Sequence, residues 1–199
     1  MDTLEVPIFP LQAVLFPGGR LPLRIFEPRY MDMAKDALRD NTPFGISLIK
    51  EGHETGDPAV PEDIGCLAQI VDWDMHQLGV LHVVVRGVQR YRILEQQTEK
   101  NGLIRAKIVT VTQEPAQKLS QANSVCSTVL QHIIEQIGEA NFHAPLNLQD
   151  AVWVGYRLSE VLPLKLAVKQ QLLQMNDSVV RIQVLHKFLI QQGLNGQAQ

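Results

Sequence analysis

The chain has 199 residues, of which 45 % are hydrophobic and 20 % charged, with a formal net charge of −3. That is enough apolar material for one substantial core or two small ones, and it excludes a disordered chain. No apolar run approaches the roughly 20 residues of a membrane-spanning helix, Asp2 and Glu5 stand where a signal peptide carries positive charge, and Lys and Arg are scattered instead of massed. The expected setting is therefore the cytoplasm, with no membrane partner and no basic domain that announces nucleic acid.

In chain order, Glu5 to Pro10 is predicted as a first strand and Gln12 to Phe16 as a short second segment, closed by the turn Pro17-Gly18-Gly19. Leu21 to Ile25 resumes as strand. Glu27 to Leu38 is predicted as a helix, with Pro28 at its first position and Tyr30, Ala34, Ala37 and Leu38 on one face. Asn41-Thr42-Pro43 stops it, and Phe44 to Lys50 is again a strand. Glu51 to Asp63 holds five acidic residues, no Lys or Arg and two prolines, which marks an exposed loop.

Gly65 to Asp74 and Val80 to Glu95 are long strands joined through His76-Gln77-Leu78-Gly79, a hairpin, with a bend predicted at Gly87. Asn101-Gly102 signals another tight turn before a last strand from Leu103 to Thr112. At Gln113-Glu114-Pro115 the alternation gives way to helical spacing in Leu119, Ala122, Val125, Cys126, Val129, Ile133 and Ile137. Further helices are predicted from Leu148 to Leu162, Leu164 to Met175 and Asp177 to Gln192, with Asp177 as N-cap. The polar tail after Gly193 is expected to fray. The domain expectation is a β-rich unit over residues 1–114 and a helical unit over 115–199.

Cys66 and Cys126 sit far apart in apolar surroundings and read as buried reduced thiols, not as a disulfide framework or a zinc site. There is no Gly-x-x-x-x-Gly-Lys-Ser/Thr loop to cradle phosphates, no His-Glu-x-x-His helix for a catalytic zinc, and no Gly-x-Ser-x-Gly elbow. The six histidines, His53, His76, His82, His132, His143 and His186, lack the convergent partners a metal needs. No catalytic residue, metal or cofactor is expected.

Pro7-Ile8-Phe9-Pro10-Leu11, Leu15-Phe16-Pro17-Gly18 and Leu21-Pro22-Leu23-Arg24-Ile25-Phe26-Glu27-Pro28-Arg29-Tyr30 resemble the opening of the N-terminal domain of Lon-type ATP-dependent proteases. The resemblance continues through Gly65-Cys66-Leu67-Ala68-Gln69-Ile70, Val85-Arg86-Gly87, Arg90-Tyr91-Arg92-Ile93, Gly155-Tyr156-Arg157-Leu158 and Leu162-Pro163. It implies an α+β fold, a PUA-like β pseudobarrel followed by a small C-terminal helical bundle. It also implies capture of unfolded or damaged polypeptides in a stand-alone form without ATPase and protease domains, working as an adaptor with a protease or chaperone partner. The alternative, by analogy of fold, is an RNA-binding PUA-like protein.

Capture of non-native chains calls for exposed apolar area at the margin of the β-rich half. The candidates are Phe26 and Arg29 at the helix start, Trp73 and Met75 at the hairpin end, and Leu78 in its connection, expected to line one shallow groove. For Phe26-Glu27-Pro28-Arg29-Tyr30 a structural reading carries more weight: Glu27 would face the open amides of the helix start while Phe26 and Tyr30 pack inward. Arg86, Arg90 and Arg92 share strand parity and, with Arg105 and Lys107, could form a positive ridge for RNA or an acidic peptide, against the bland reading of a solvated sheet face. Trp153 and Tyr156, three apart on a helix, read as a buried seam.

Overall fold

The computed structural model describes residues 3–142 and 144–194; His143 and the tail from 195, which was expected to fray, lie outside the described residues. The chain divides into two compact units, Met1–Thr112 and Gln113–Gln199. The first holds β1 (Thr3–Leu11), β2 (Arg20–Ile25), α1 (Pro28–Asp40), β3 (Phe44–Glu51), β4 (Val60–Pro61), β5 (Ile64–Gln77), β6 (Val80–Thr98) and β7 (Ile104–Thr110). The second holds α2 (Ser124–Ile137), α3 (Ala151–Val161), α4 (Leu166–Gln174) and α5 (Ser178–Gln191), with short 3-10 turns at Gln121–Asn123 and Glu139–Asn141. The fold is α+β, and among the described residues no helix is long and apolar enough to cross a membrane.

The strands of the first unit close on themselves. β1 runs antiparallel to β7, β7 to β6, β6 to β5 and β5 to β3, and β3 returns parallel to β1 through pairs such as Ile8–Gly45 and Pro10–Ser47. Such a ring covers most of its own edges. β6 is long enough to serve two neighbours in turn: residues 81–86 pair with β2, and residues 91–98 with β7.

The switch occurs at the predicted bend. Gly87 lies opposite Ala68 but Arg90 opposite Cys66, so Val88 and Gln89 pass a single residue of β5. A side chain at Gly87 would run into the carbonyl of Phe16. That close approach is fixed by hydrogen bonds from Gly18 N–H to the Gly87 carbonyl at 2.8 Å and from Gly87 N–H to the Gly19 carbonyl at 2.9 Å. The short segment from Gln12 to Phe16 is not a strand. It is a loop that inserts Leu15 and Phe16 into the interior, held by the turn that follows.

One core gathers Phe9, Ile25, Tyr30, Met33, Phe44, Ile46 and Val85 beneath α1. Tyr30 stacks on Phe9 with ring centroids 4.1 Å apart, a contact worth about 0.5–1.5 kcal/mol beyond the burial itself. A second core holds Ile8, Leu67, Tyr91, Ile104 and Ile108. Tyr91 is completely buried, its hydroxyl 2.8 Å from Ser47 Oγ, in a space left by Gly45 and Gly65, where a Cβ would collide with that hydroxyl.

In the second unit the chain from Gln113 to Ser120 is not helical, and the first α-helix starts at Ser124. Asp177 caps α5 as expected, accepting from the N–H groups of Val179 and Val180, and Asp150 caps α3 through Val152 N–H. Inside, Arg181 is fully buried against the Glu114 carboxylate and donates to the carbonyls of Leu172 and Met175. Tyr156 completes the cluster, donating to Glu114 at 2.7 Å and holding its ring 4.2 Å from the guanidinium. Tyr156 is therefore buried as part of a charged cluster, while Trp153 is half-buried. Both cysteines are buried and neither forms a disulfide; burial pushes the Cys126 thiol up to about 12.

Candidate functional site

The β5–β6 hairpin changes character along its length. Ile64 to Ala68 of β5 are all buried, Gln69 and Ile70 are half-buried, and every residue from Val71 to Gln77 is exposed. The first stretch lies between β3 and β6, whereas the second has lost β3 and continues with β6 alone on one side. The pairing of Asp72 with Val84 and of Trp73 with Val83 keeps it extended.

Beyond the barrel, β2, β6 and β5 lie side by side in matched rungs. Arg24 pairs with His82 and His82 with Asp74; Leu23 pairs with Val83 and Val83 with Trp73; Pro22 pairs with Val84 and Val84 with Asp72. An open groove of about 470 Å³ lies along these rungs, lined by residues of both faces: Pro22, Arg24, Asp72, Asp74, His82 and Val84, and Leu23, Trp73 and Val83. His76 Nε2 lies 2.6 Å from Asp74 Oδ2, within a stretch where the register shifts between Asp74 and Gln77.

Four of the five expected site residues stand in solvent. Leu78 is 95 % exposed at the turn, Trp73 57 %, Phe26 56 % and Met75 39 %. The register brings Phe26 to the same end, because it follows Ile25, which pairs with Leu81 close to the start of β6. Of these, Trp73 lines the groove over the rungs.

Arg29 departs from the expectation. It is only 7 % exposed, and its guanidinium is held by Glu27 at 2.8 Å, the Gly56 carbonyl at 2.8 Å and the Gly102 carbonyl at 3.2 Å. Its role is to tie the acidic loop and the β6–β7 turn to the start of α1. The same contact corrects the reading of Glu27. Its carboxylate turns to Arg29 instead of the open amides of α1, which begins without a side-chain cap. Phe26, read as core, faces water.

The arginine ridge loses its geometry at the bulge. Two residues passing one partner reverse the alternation, so Arg90 and Arg92 no longer share a face with Arg86; Arg90 is buried, Arg92 exposed and Arg86 half-buried. Arg105 is paired with Glu99 at 2.6 Å, and Lys107 lies opposite Glu5 on β1 and Glu95 on β6. Carboxylate-bearing residues are thus interleaved with Arg105 and Lys107. Among the described residues, no cluster of three or more His, Cys, Asp or Glu could hold a metal ion.

The groove residues Pro22, Arg24, His82 and Val84 were not among the sequence candidates. Their only signal was alternation, which puts them on the outward positions of two strands whose inward positions are Leu21, Leu23, Leu81, Val83 and Val85. That β2 lies against β6 is not written in either segment alone.

A family model for the ATP-dependent protease La (LON) substrate-binding domain matches residues 5–191. Among curated proteins, a Lon protease of Parabacteroides distasonis is 29 % identical over 184 residues, 86 % of this chain and 22 % of that protein. A Lon protease of Anaeromyxobacter dehalogenans is 30 % identical over 109 residues, 53 % of this chain and 13 % of that one. Protein cereblon of Xenopus tropicalis is 25 % identical over 108 residues, 52 % of this chain and 23 % of that one. The chain spans under a quarter of the length of each of these relatives. Among solved structures, a Lon N-terminal domain protein from Xanthomonas campestris superimposes with a TM-score of 0.77 at 32 % identity, covering 92 % of this chain and 96 % of that one. The N-terminal domain of a Mycobacterium avium complex Lon protease shares the fold, with a TM-score of 0.66 at 20 % identity, covering 93 % and 97 %.

Proposed function

Because the chain belongs to the family of ATP-dependent protease La (LON) substrate-binding domains, we propose that it is a non-catalytic recognition module for non-native polypeptides, acting as an adaptor beside a protease or chaperone. The observation that carries this reading is the group of apolar side chains left in water at one end of the β-rich unit: Phe26, Trp73, Met75 and Leu78. Single exposed apolar residues are ordinary, but several at one end of one hairpin form a surface that gains from being covered. Burying one such side chain contributes roughly 1.5–3 kcal/mol, and unfolded chains differ from folded ones in offering the apolar groups that do so.

The measurement is a fluorescence anisotropy titration of the full chain with a labelled, permanently unfolded polypeptide, with the folded form of the same polypeptide as control. The unfolded form is expected to bind and the folded form not. A central aromatic anchor is worth on the order of 1–3 kcal/mol, so Trp73→Ala should weaken binding about five-fold or more. Equal binding of both forms, or an unchanged affinity in Trp73→Ala, would remove this reading. An ATP hydrolysis and degradation assay accompanies it, and turnover abolished by a point substitution in this chain would overturn the non-catalytic part.

A further inference from the structure

The strand that carries Trp73 has a main-chain side that nothing in the described structure covers. β5 pairs with β6 over its whole length, but its other edge meets β3 only from Cys66 to Ala68. From Ile70 to Gln77 that edge makes, among the described residues, no main-chain hydrogen bond to another strand or loop. An edge of this kind presents unpaired N–H and C=O groups in the spacing that an extended chain matches.

The side chains along the edge divide by face. Asp72 and Asp74 lie opposite Val84 and His82 on one face, and Trp73 lies opposite Val83 on the other. The register shifts again between Asp74 and Gln77, so the alternation is regular only from Asp72 to Asp74, and Met75 follows as the next exposed apolar side chain along the edge. We infer that this edge takes an extended polypeptide segment as an added strand, one in which apolar residues alternate with lysine or arginine. The inference rests on the polypeptide-recognition reading above and narrows it to one mode of binding and one class of sequence. The apolar residues would cover Trp73 and Met75, and the basic ones would meet Asp72 and Asp74.

Charge decides against a second copy as the occupant. Pairing the edge with itself would set Asp72 and Asp74 beside their own equivalents, and like charges opposed across a strand pair are unfavourable. A basic partner turns the same two carboxylates from repulsion to attraction.

The test uses the full chain and nine-residue peptides alternating valine with lysine, with a matched peptide carrying glutamate for lysine. Two further versions carry N-methyl groups on the valines alone or on the lysines alone, because only one set of amides points at the edge of an added strand. The lysine peptide should bind at least about ten-fold more tightly than the glutamate peptide. Methylating one set should weaken it by about ten-fold, and methylating the other by less than about two-fold. In the double variant Asp72→Lys and Asp74→Lys, checked for folding by circular dichroism, the preference should pass to the glutamate peptide. Equal effects of the two methylations, or a preference that the double variant leaves unchanged, would overturn the added strand. So would a dimer seen by sedimentation that the peptides dissociate, since the edge would then belong to a second copy. If the inference alone fails, Trp73→Ala still weakens binding of the unfolded polypeptide; if that effect is missing too, the reading beneath it fails with it.

Discussion

The helical unit and the end of the β5–β6 hairpin depart in opposite directions from the usual distribution of polar and apolar groups. In the helical unit a guanidinium is fully buried, yet Arg181 meets the Glu114 carboxylate, two backbone carbonyls and the face of Tyr156. At the hairpin end Trp73 and Leu78 stand in water although their chemistry favours burial. The first departure is offset inside the chain, so the group is structural. The second is not, and its natural offset is a partner.

The largest way to test that contrast is to break the internal offset. Arg181→Met removes the guanidinium that neutralises Glu114, and removing one member of a buried pair costs about 3–5 kcal/mol. Chemical denaturation should show that loss. Adding Glu114→Gln to Arg181→Met should recover a large part of it, because the stranded charge goes with its partner. A loss under 1 kcal/mol for Arg181→Met would show that the cluster is not held as the geometry describes.

A smaller effect belongs to the phenol inside the barrel. Tyr91→Phe deletes the hydrogen bond to Ser47 and should cost about 1–2 kcal/mol, since the serine hydroxyl is left buried without it. Burial also pushes the Tyr91 phenol above the ordinary tyrosine range, and burial does the same to Tyr30. The unfolded chain then releases these protons near pH 10 while the folded chain keeps them, so stability must fall as pH rises from there. The fall reaches up to about 1.4 kcal/mol per pH unit for each phenol. Denaturation curves between neutral pH and pH 11 should show it, with a shallower fall in Tyr91→Phe.

These groups differ in how far the sequence reveals them. Strands and helices were legible where alternation or helical spacing ran uninterrupted, as from Phe44 to Lys50 or from Asp177 to Gln192, and Asp177 was recognisable as a cap because the cap lies next to what it caps. The bend at Gly87 was legible too, but its consequence was not: the bulge takes Arg90 and Arg92 off the face that Arg86 shares, and Arg90 ends in the interior. Arg29 was misjudged because its partners at Gly56 and Gly102 are remote in sequence. The closure of β1 on β3 and the free edge of β5 are statements about which strands are neighbours, and no single segment carries that information. Among the candidate residues, Trp73, Met75 and Leu78 could be anticipated since a hairpin connection is solvent-facing by default.

On the exposed side of the contrast, Trp73→Ala should change stability by less than about 0.5 kcal/mol while binding weakens. Val83 and Leu23, its neighbours across the rungs, keep their own packing. A stability loss near 3 kcal/mol, typical of a large core truncation, would move Trp73 from the binding surface to the core and erase the difference between the two regions.

The smallest expected effect is at Leu78. Its side chain is 95 % exposed, and the turn depends on Gly79, whose φ of 85° lies in the left-handed region that glycine enters without steric cost. Leu78→Ser therefore keeps the hairpin, and stability should stay within about 0.5 kcal/mol of the parent. If an added strand lies along residues 70–77, Leu78 sits past its end and touches a bound chain only at the margin, where contacts exclude water more than they hold. Binding of the unfolded polypeptide should then weaken by about two-fold, against about five-fold or more for Trp73→Ala. Anisotropy titrations of the two variants side by side rank them. An equal or larger loss in Leu78→Ser would shift the centre of the site to the tip of the hairpin, and the edge of β5 would become its rim.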